Sequence, residues 1–138
     1  MLARAYLADE TGHADAVRLM EDPAVALVTG TWSRVEVSGA LVRAARAGRG
    51  DAQGLLALLD ADLSQDGPVT VVSAAQSEVE EQALRLVRQH AIHAMDAWHL
   101  ATAALTLPSL TEPGEEAGFA SRDDAQSDVA RLIGFRAV

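Results

Sequence analysis

The chain has no cysteine and no lysine among its 138 residues, and its aromatic side chains are two tryptophans, two phenylalanines and one tyrosine. The lack of thiols excludes disulfide frameworks, cysteine nucleophiles and cysteine-based zinc sites. Carboxylates and four histidines are then the side chains left for metal binding. Carboxylate oxygens suit hard cations such as Mg²⁺ and Mn²⁺, so hard-metal chemistry remains open to this chain.

The sequence also lacks an apolar run of about 18 residues, the length that a transmembrane helix needs. Its first residues have neither the apolar region nor the cleavage site of a signal peptide. We therefore expect a soluble, cytoplasmic protein that does not enter a membrane. The length fits one domain over residues 1–138.

Charge of one sign dominates, because the eleven basic residues are outnumbered by twenty acidic ones and the formal net charge is -9. An acidic protein repels a polyanion at long range, so any nucleic acid must be met at a local basic patch or through bound cations. Arg43, Arg46 and Arg49 are spaced three apart near the end of one predicted helix. They form either such a patch or a set of cations favoured by the helix C-terminal dipole.

Short apolar segments alternate with segments of helical periodicity. Helices are predicted at 2–7, 11–20, 31–47, 51–63, 76–90, within 92–105 and at 123–133, and strands at 24–29, 69–73, 118–121 and 135–138. The first two strands are continuous apolar runs, which predicts burial on both faces. This alternation predicts a helix-rich α/β layer fold with a mainly parallel sheet.

Three carboxylates fall where such folds place their ligands, beyond the carboxyl ends of the strands. Glu36 follows the first predicted strand, Asp123 follows the third, and Asp96 stands at the head of an otherwise apolar helix. Three acids in one crevice would repel each other unless cations held them. One or two Mg²⁺ or Mn²⁺ ions there would activate water against a phosphodiester, so phosphoryl chemistry is the function that this arrangement predicts.

Each acid also has a purely structural interpretation. Asp96 could cap its helix, and Asp123 could open an ordinary one. Ser33 and Glu36 have the spacing of a capping box, which the residues alone favour for Glu36 over a catalytic role. His93, Asp96 and His99 could offer three ligands on one helical face, but lone helix histidines more often pack or form hydrogen bonds.

Three segments together resemble the acidic motifs of one family, the PIN-domain nucleases, and among them the VapC-like ribonuclease toxins of bacterial toxin-antitoxin pairs. Residues 31–37, Thr-Trp-Ser-Arg-Val-Glu-Val, resemble the second motif. Residues 95–103, Met-Asp-Ala-Trp-His-Leu-Ala-Thr-Ala, resemble the third. Residues 119–123, Phe-Ala-Ser-Arg-Asp, resemble the fourth, a strand that ends in Thr/Ser-x-Asp. Their order and spacing through nearly the whole chain make the resemblance specific.

The resemblance implies a three-layer α/β/α fold and a metal-dependent endoribonuclease using Mg²⁺ or Mn²⁺. It implies an RNA substrate, a homodimer, and a cognate antitoxin that covers the site. The residues that it assigns are the catalytic and metal-binding acids Glu36, Asp96 and Asp123 and the supporting residues Ser121, Ser33 and His99. Two arginines of the possible basic patch, Arg43 and Arg46, are the contacts that we expect for RNA or a protein partner.

The departure from the family lies at the N-terminus. Members begin with a central strand that ends in a metal-binding Asp, and this sequence shows no such strand before residues 2–7. We therefore expect that Met1 is an internal or misassigned start and that about ten further residues, a strand and its turn, precede it in the functional protein. The alternative is a non-catalytic PIN-like binding module, for dimerisation or antitoxin sequestration, with an incomplete metal site.

Overall fold

A computed structural model describes residues 2–138, which divide into two compact units, the first ending at Val71 and the second beginning at Val72. The elements of the first unit are a 3₁₀ helix at Leu2–Tyr6, α1 at His13–Glu21, β1 at Leu27–Gly30, α2 at Thr31–Arg46, α3 at Ala52–Asp62 and β2 at Val69–Val72. β1 and β2 pair in a two-stranded sheet. The predicted helices of this unit are therefore confirmed to within about two residues at each end, the usual uncertainty of helix boundaries.

The core of the first unit lies mainly between α2 and α3. Leu41 of α2 and Leu59 of α3 are completely buried, and they cluster with further buried residues, namely Leu7, Val37, Ala44, Leu63 and Val69. Two large apolar side chains of these helices are exposed, Val35 of α2 by 61% and Leu58 of α3 by 58%. Both lie on the outer sides of their helices.

The two strands of this unit are less buried than their apolar sequences predict. β1 is half-buried along its whole length, and in β2 only Val69 is fully buried while Thr70 and Val71 are exposed. The expectation of strands buried on both faces is therefore wrong for the residues that the structure describes. A continuous apolar run gives the length of a strand but does not say which faces other elements cover.

The second unit begins with two packed helices. Its elements are α4 at Gln76–His90, α5 at Ala94–Thr106, a 3₁₀ turn at Leu107–Ser109, β3 at Gly118–Phe119, α6 at Asp124–Leu132 and β4 at Arg136–Ala137. β3 and β4 are parallel, with Gly118 opposite Arg136. The central helix is α5, whose Ala97, Leu100 and Ala101 have no exposed surface. The small alanines let α4 and α6 approach it closely.

Together, abundant helices and parallel strand pairing confirm the predicted α/β class. Over residues 2–138 the first strand is β1, which follows the 3₁₀ helix and α1. The missing strand and the single domain over 1–138 remain predictions.

Candidate active site

The turn between α4 and α5 places Asp96. Ala91 adopts a left-handed conformation with φ 54°, and its amide donates to the carbonyl of Val87 at 2.9 Å. Ile92 is buried in the core of the second unit, and α5 begins two residues later at Ala94. The N-cap of α5 is His93, and Asp96 lies half-buried in the first helical turn. The alternative in which Asp96 is the N-cap residue is therefore wrong.

Asp123 is the N-cap of α6, as its structural interpretation predicted. Its Oδ1 accepts a hydrogen bond from the amide of Gln126 at 2.8 Å, and its own amide donates to Oγ of Ser121 at 3.0 Å. Capping satisfies one of the amide groups that a helix N-terminus leaves unpaired. It engages one carboxylate oxygen of an exposed side chain, and Oδ2 takes no part in it. The cap therefore does not exclude a second role in metal binding.

Gln126 connects the two aspartates. Its side chain is only 7% exposed. The side-chain amide nitrogen donates to the main-chain carbonyl of Asp96 at 3.1 Å, and the side-chain oxygen accepts from Oγ of Ser121 at 2.5 Å. One buried side chain thus joins the first turn of α5 to the segment that begins α6. The structure brings Asp96, Ser121 and Asp123 into one hydrogen-bonded assembly within the second unit.

Sequence reasoning missed Gln126. The only local signal was its place three residues after a capping Asp, and that place says nothing of a contact with Asp96, 30 residues earlier. Ser121 was expected to support the acids with its hydroxyl, and the structure shows that hydroxyl holding both Gln126 and the amide of Asp123. His99 is half-buried on α5, three residues after Asp96. Its supporting role stays a prediction.

In the first unit, the local structure around Glu36 differs from the capping box favoured by the residues alone. α2 begins at Thr31 with Gly30 as its N-cap and no side-chain cap. The capping box is therefore wrong, because Ser33 lies inside the helix and not at its N-cap. Ser33 is instead buried and accepts a hydrogen bond from Oγ1 of Thr29 at 2.6 Å, which fastens β1 to α2. Glu36 lies on the exposed side of the first turns of α2.

The predicted trio of arginines does not form one patch. Arg43 and Arg46 are exposed in the last turns of α2, where the helix dipole favours cations. Arg49 instead binds Asp9 in a bidentate pair, with distances of 2.6 and 2.8 Å, and contacts Glu10 at 2.8 Å. These hydrogen bonds lower the pKa of the Asp9 carboxyl from its ordinary value.

The three proposed acids are divided between the units: Glu36 belongs to the first, and Asp96 and Asp123 belong to the second. Within either unit, no three His, Asp or Glu side chains among residues 2–138 form a group that could hold a metal ion. A shared crevice for all three acids therefore stays a prediction. The three side chains are chemically suited to a hard divalent cation, since each offers carboxylate oxygens.

Over residues 2–132 the sequence matches the profile of the PIN domain. The chain belongs to the PIN domain family. PIN domains are generally nucleases and typically use divalent metal ions. The match confirms the family predicted from the three acidic motifs and the helix-rich three-layer α/β/α class of fold.

Two other comparisons gave no relative of this PIN domain. No curated protein and no solved structure matches the chain. Among residues 2–138, none of the helices has the length and apolar character needed to cross a membrane. The VapC-like subtype, the antitoxin and the homodimer remain predictions.

Proposed function

We propose that this PIN domain is a metal-dependent endoribonuclease and the toxin component of a toxin-antitoxin pair. Glu36, Asp96 and Asp123 hold Mg²⁺ or Mn²⁺ in this proposal. The observation that carries it is the position of Gln126, whose buried side chain donates to the main-chain carbonyl of Asp96 and whose backbone amide donates to the Asp123 carboxylate. Gln126 thus fixes the main chain at Asp96 relative to the start of α6, and positioned main-chain segments are what a metal site needs to hold its ligands.

When bound, the divalent ion supplies Lewis acidity, which activates water towards the phosphorus and stabilises negative charge on the phosphate. The chain supplies the geometry. Asp96 is fixed by the start of α5, and Asp123 by its cap on α6. Ser121 orients Gln126 through its hydroxyl, so it is a positioning residue in this proposal.

The finer proposal, a toxin that homodimerises and is silenced by a cognate antitoxin, is supported by the likeness of residues 31–37, 95–103 and 119–123 to the motifs of VapC-like toxins.

The test is cleavage of a mixed RNA pool by the purified protein in Mn²⁺, beside an EDTA sample and the Asp96→Asn variant. Asp128→Asn is the matched control, because it removes the same charge from an exposed carboxylate of α6 that pairs with Arg131. We expect cleavage by the parent protein and the control, and none with EDTA or Asp96→Asn. Unchanged cleavage by a folded Asp96→Asn protein, checked by circular dichroism, would exclude the assigned site.

A further inference from the structure

A surface groove of about 590 Å³ runs between α2 and α3 in the first unit. Three arginines of α2 line it, Arg34, Arg43 and Arg46, and the acid on the opposite side is Asp60 of α3. Arg34 and Arg46 lie about 18 Å apart along the helix axis, at about 1.5 Å per residue. The groove is therefore a basic strip, longer than a single phosphate group.

The charges of this strip do not cancel. Nη2 of Arg34 donates to Oδ1 of Asp60 at 2.7 Å, which fixes that guanidinium across the groove. Among the described residues, neither Arg43 nor Arg46 forms an ion pair with a carboxylate. Two unneutralised guanidinium groups thus stand together on a protein whose formal net charge is -9. A local excess of this kind is what an acidic protein needs to bind a polyanion.

Gly39 leaves space on α2 for the guanidinium group of Arg43. A Cβ added at Gly39 would lie 3.2 Å from Nη1 of Arg43, so the guanidinium rests against the helix where a side chain would otherwise be. Helical side chains lean towards the N-terminus, which brings residue 43 over residue 39. Glycine costs a helix interior about 1 kcal/mol relative to alanine. At this position the absence of a side chain leaves the space that the Arg43 guanidinium occupies.

We propose that the α2–α3 groove binds the sugar-phosphate backbone of single-stranded RNA, with Arg43 and Arg46 on successive phosphates and Arg34, held by Asp60, as a third contact. The planar guanidinium fork matches phosphate oxygens, which favours a phosphate ligand. The length of the strip favours a chain of phosphates over a free one. The choice of RNA rests on the proposed endoribonuclease function, but the groove itself contains none of the proposed metal ligands.

The test measures binding of a fluorescently labelled single-stranded RNA of about 12 nucleotides by anisotropy, with EDTA present so that no metal-dependent cleavage occurs. Counterion release predicts that each lost phosphate contact reduces the slope of log affinity against log salt by about 0.7. Arg43→Ala and Arg46→Ala should each reduce the slope by this amount and weaken RNA binding roughly five- to tenfold at about 50 mM salt. The matched control is Arg88→Ala, which removes the same charge from an exposed site on α4 and should leave binding within about twofold.

Two further variants separate a positioned groove from general attraction. Gly39→Ala should weaken RNA binding while raising the melting temperature, because it displaces the Arg43 guanidinium but favours the helix. Asp60→Asn should strengthen binding, because it removes the acid that neutralises Arg34. Equal losses in Arg43→Ala and Arg88→Ala would overturn the proposal, as would Gly39→Ala binding RNA like the parent protein.

Competition identifies the ligand. A single-stranded RNA of random sequence should displace the label, whereas inorganic phosphate or polyglutamate at equal charge concentration should not. Displacement by polyglutamate at lower concentration than RNA would assign the groove to an acidic protein partner and overturn the RNA proposal.

The Asp96→Asn variant should bind the labelled RNA normally, so loss of cleavage with binding retained bears only on the active site. Binding lost in Arg43→Ala with cleavage retained would show that the nuclease does not need this groove for its substrate.

Discussion

The side-chain amide of Gln126 donates a hydrogen bond to the main-chain carbonyl of Asp96, with 3.1 Å between nitrogen and oxygen. The backbone amide of the same glutamine donates to Oδ1 of Asp123 at 2.8 Å. Positions on α5 and at the start of α6 are therefore set by one residue. The buried side chain of Gln126 makes two hydrogen bonds, with Asp96 and Ser121, and breaking either would leave its amide with an unpaired polar atom away from water.

Replacing Gln126 with methionine should reduce cleavage by about ten- to one-hundredfold, the usual cost of losing a group that orients metal ligands. Methionine keeps the length of the side chain but cannot hold Asp96 and Ser121. The measurement is the rate of RNA cleavage against Mn²⁺ concentration, in which the variant should need more metal for half-maximal rate. Gln89→Met, an exposed position on α4, is the control and should cleave normally. A parent-like metal requirement in Gln126→Met would show that this connection does not position the acids.

Substitution of Asp123 should separate its cap from its proposed role as a ligand. Asparagine caps helices as well as aspartate, so Asp123→Asn should keep the melting temperature and lose cleavage. Asp123→Ala should lose cleavage and also about 1 kcal/mol of stability, or roughly 2–8 °C in melting temperature. The measurements are thermal unfolding followed by circular dichroism and the RNA cleavage assay. Full activity in Asp123→Asn would leave this residue with its cap alone.

Mn²⁺ should stabilise the folded protein if the acids form a site. Binding to the folded state alone adds about 2.7 kcal/mol at a metal concentration one hundred times the dissociation constant, and the effect grows with the logarithm of concentration. The measurement is the melting temperature across a Mn²⁺ titration, repeated with Asp96→Asn, in which the rise should vanish. The melting temperature in EDTA, without added Mn²⁺, is the reference. A melting temperature independent of Mn²⁺ would favour the non-catalytic binding module.

Alkaline pH should destabilise the first unit through Tyr6. Its hydroxyl donates to Oδ2 of Asp62 at 2.8 Å, and burial together with this acceptor raises the pKa of Tyr6 well above its ordinary value of 10.0. A raised pKa means that the folded state holds the proton more tightly. The stability contributed is thus complete below about pH 10 and is lost as the pH rises through the folded-state value.

Tyr6→Phe tests this contribution. At pH 7 the variant should lose about 1 kcal/mol of unfolding free energy, the net worth of one hydrogen bond. Between about pH 10 and pH 11.5 the parent protein should lose stability more steeply than the variant, as measured by urea denaturation. Parallel curves for the two proteins over this range would contradict the assignment to Tyr6.

The local signals in the sequence were sufficient for most of the helices. The apolar period of residues 76–90 predicted α4 with the bounds that the structure shows, Gln76–His90. Asp51 and Asp123 were both placed at helix starts, and each accepts a backbone amide there as an N-cap. These features depend on side chains within one or two turns of each other, so a single sequence contains them.

Contacts between distant residues were not predictable in this way. The capping box at Ser33 failed because Thr29 of β1 provides its hydrogen bond, and the helix begins at Thr31. The exposure of Val35 and of β2 depends on which elements pack nearby, which local periodicity does not record. The arginine trio separated because Asp9 and Glu10 bind Arg49, 39 or more residues away in sequence.

By itself, the sequence determined the element types, the acidic motifs and, through their order and spacing, the family. The tertiary structure decided the link from Gln126 to Asp96, the burial of Ser33 and the groove that gathers Arg34, Arg43 and Arg46. The physical reason is the range of the interactions: helix periodicity and capping act within a few residues, whereas hydrogen bonds and grooves between elements exist only after distant segments have packed.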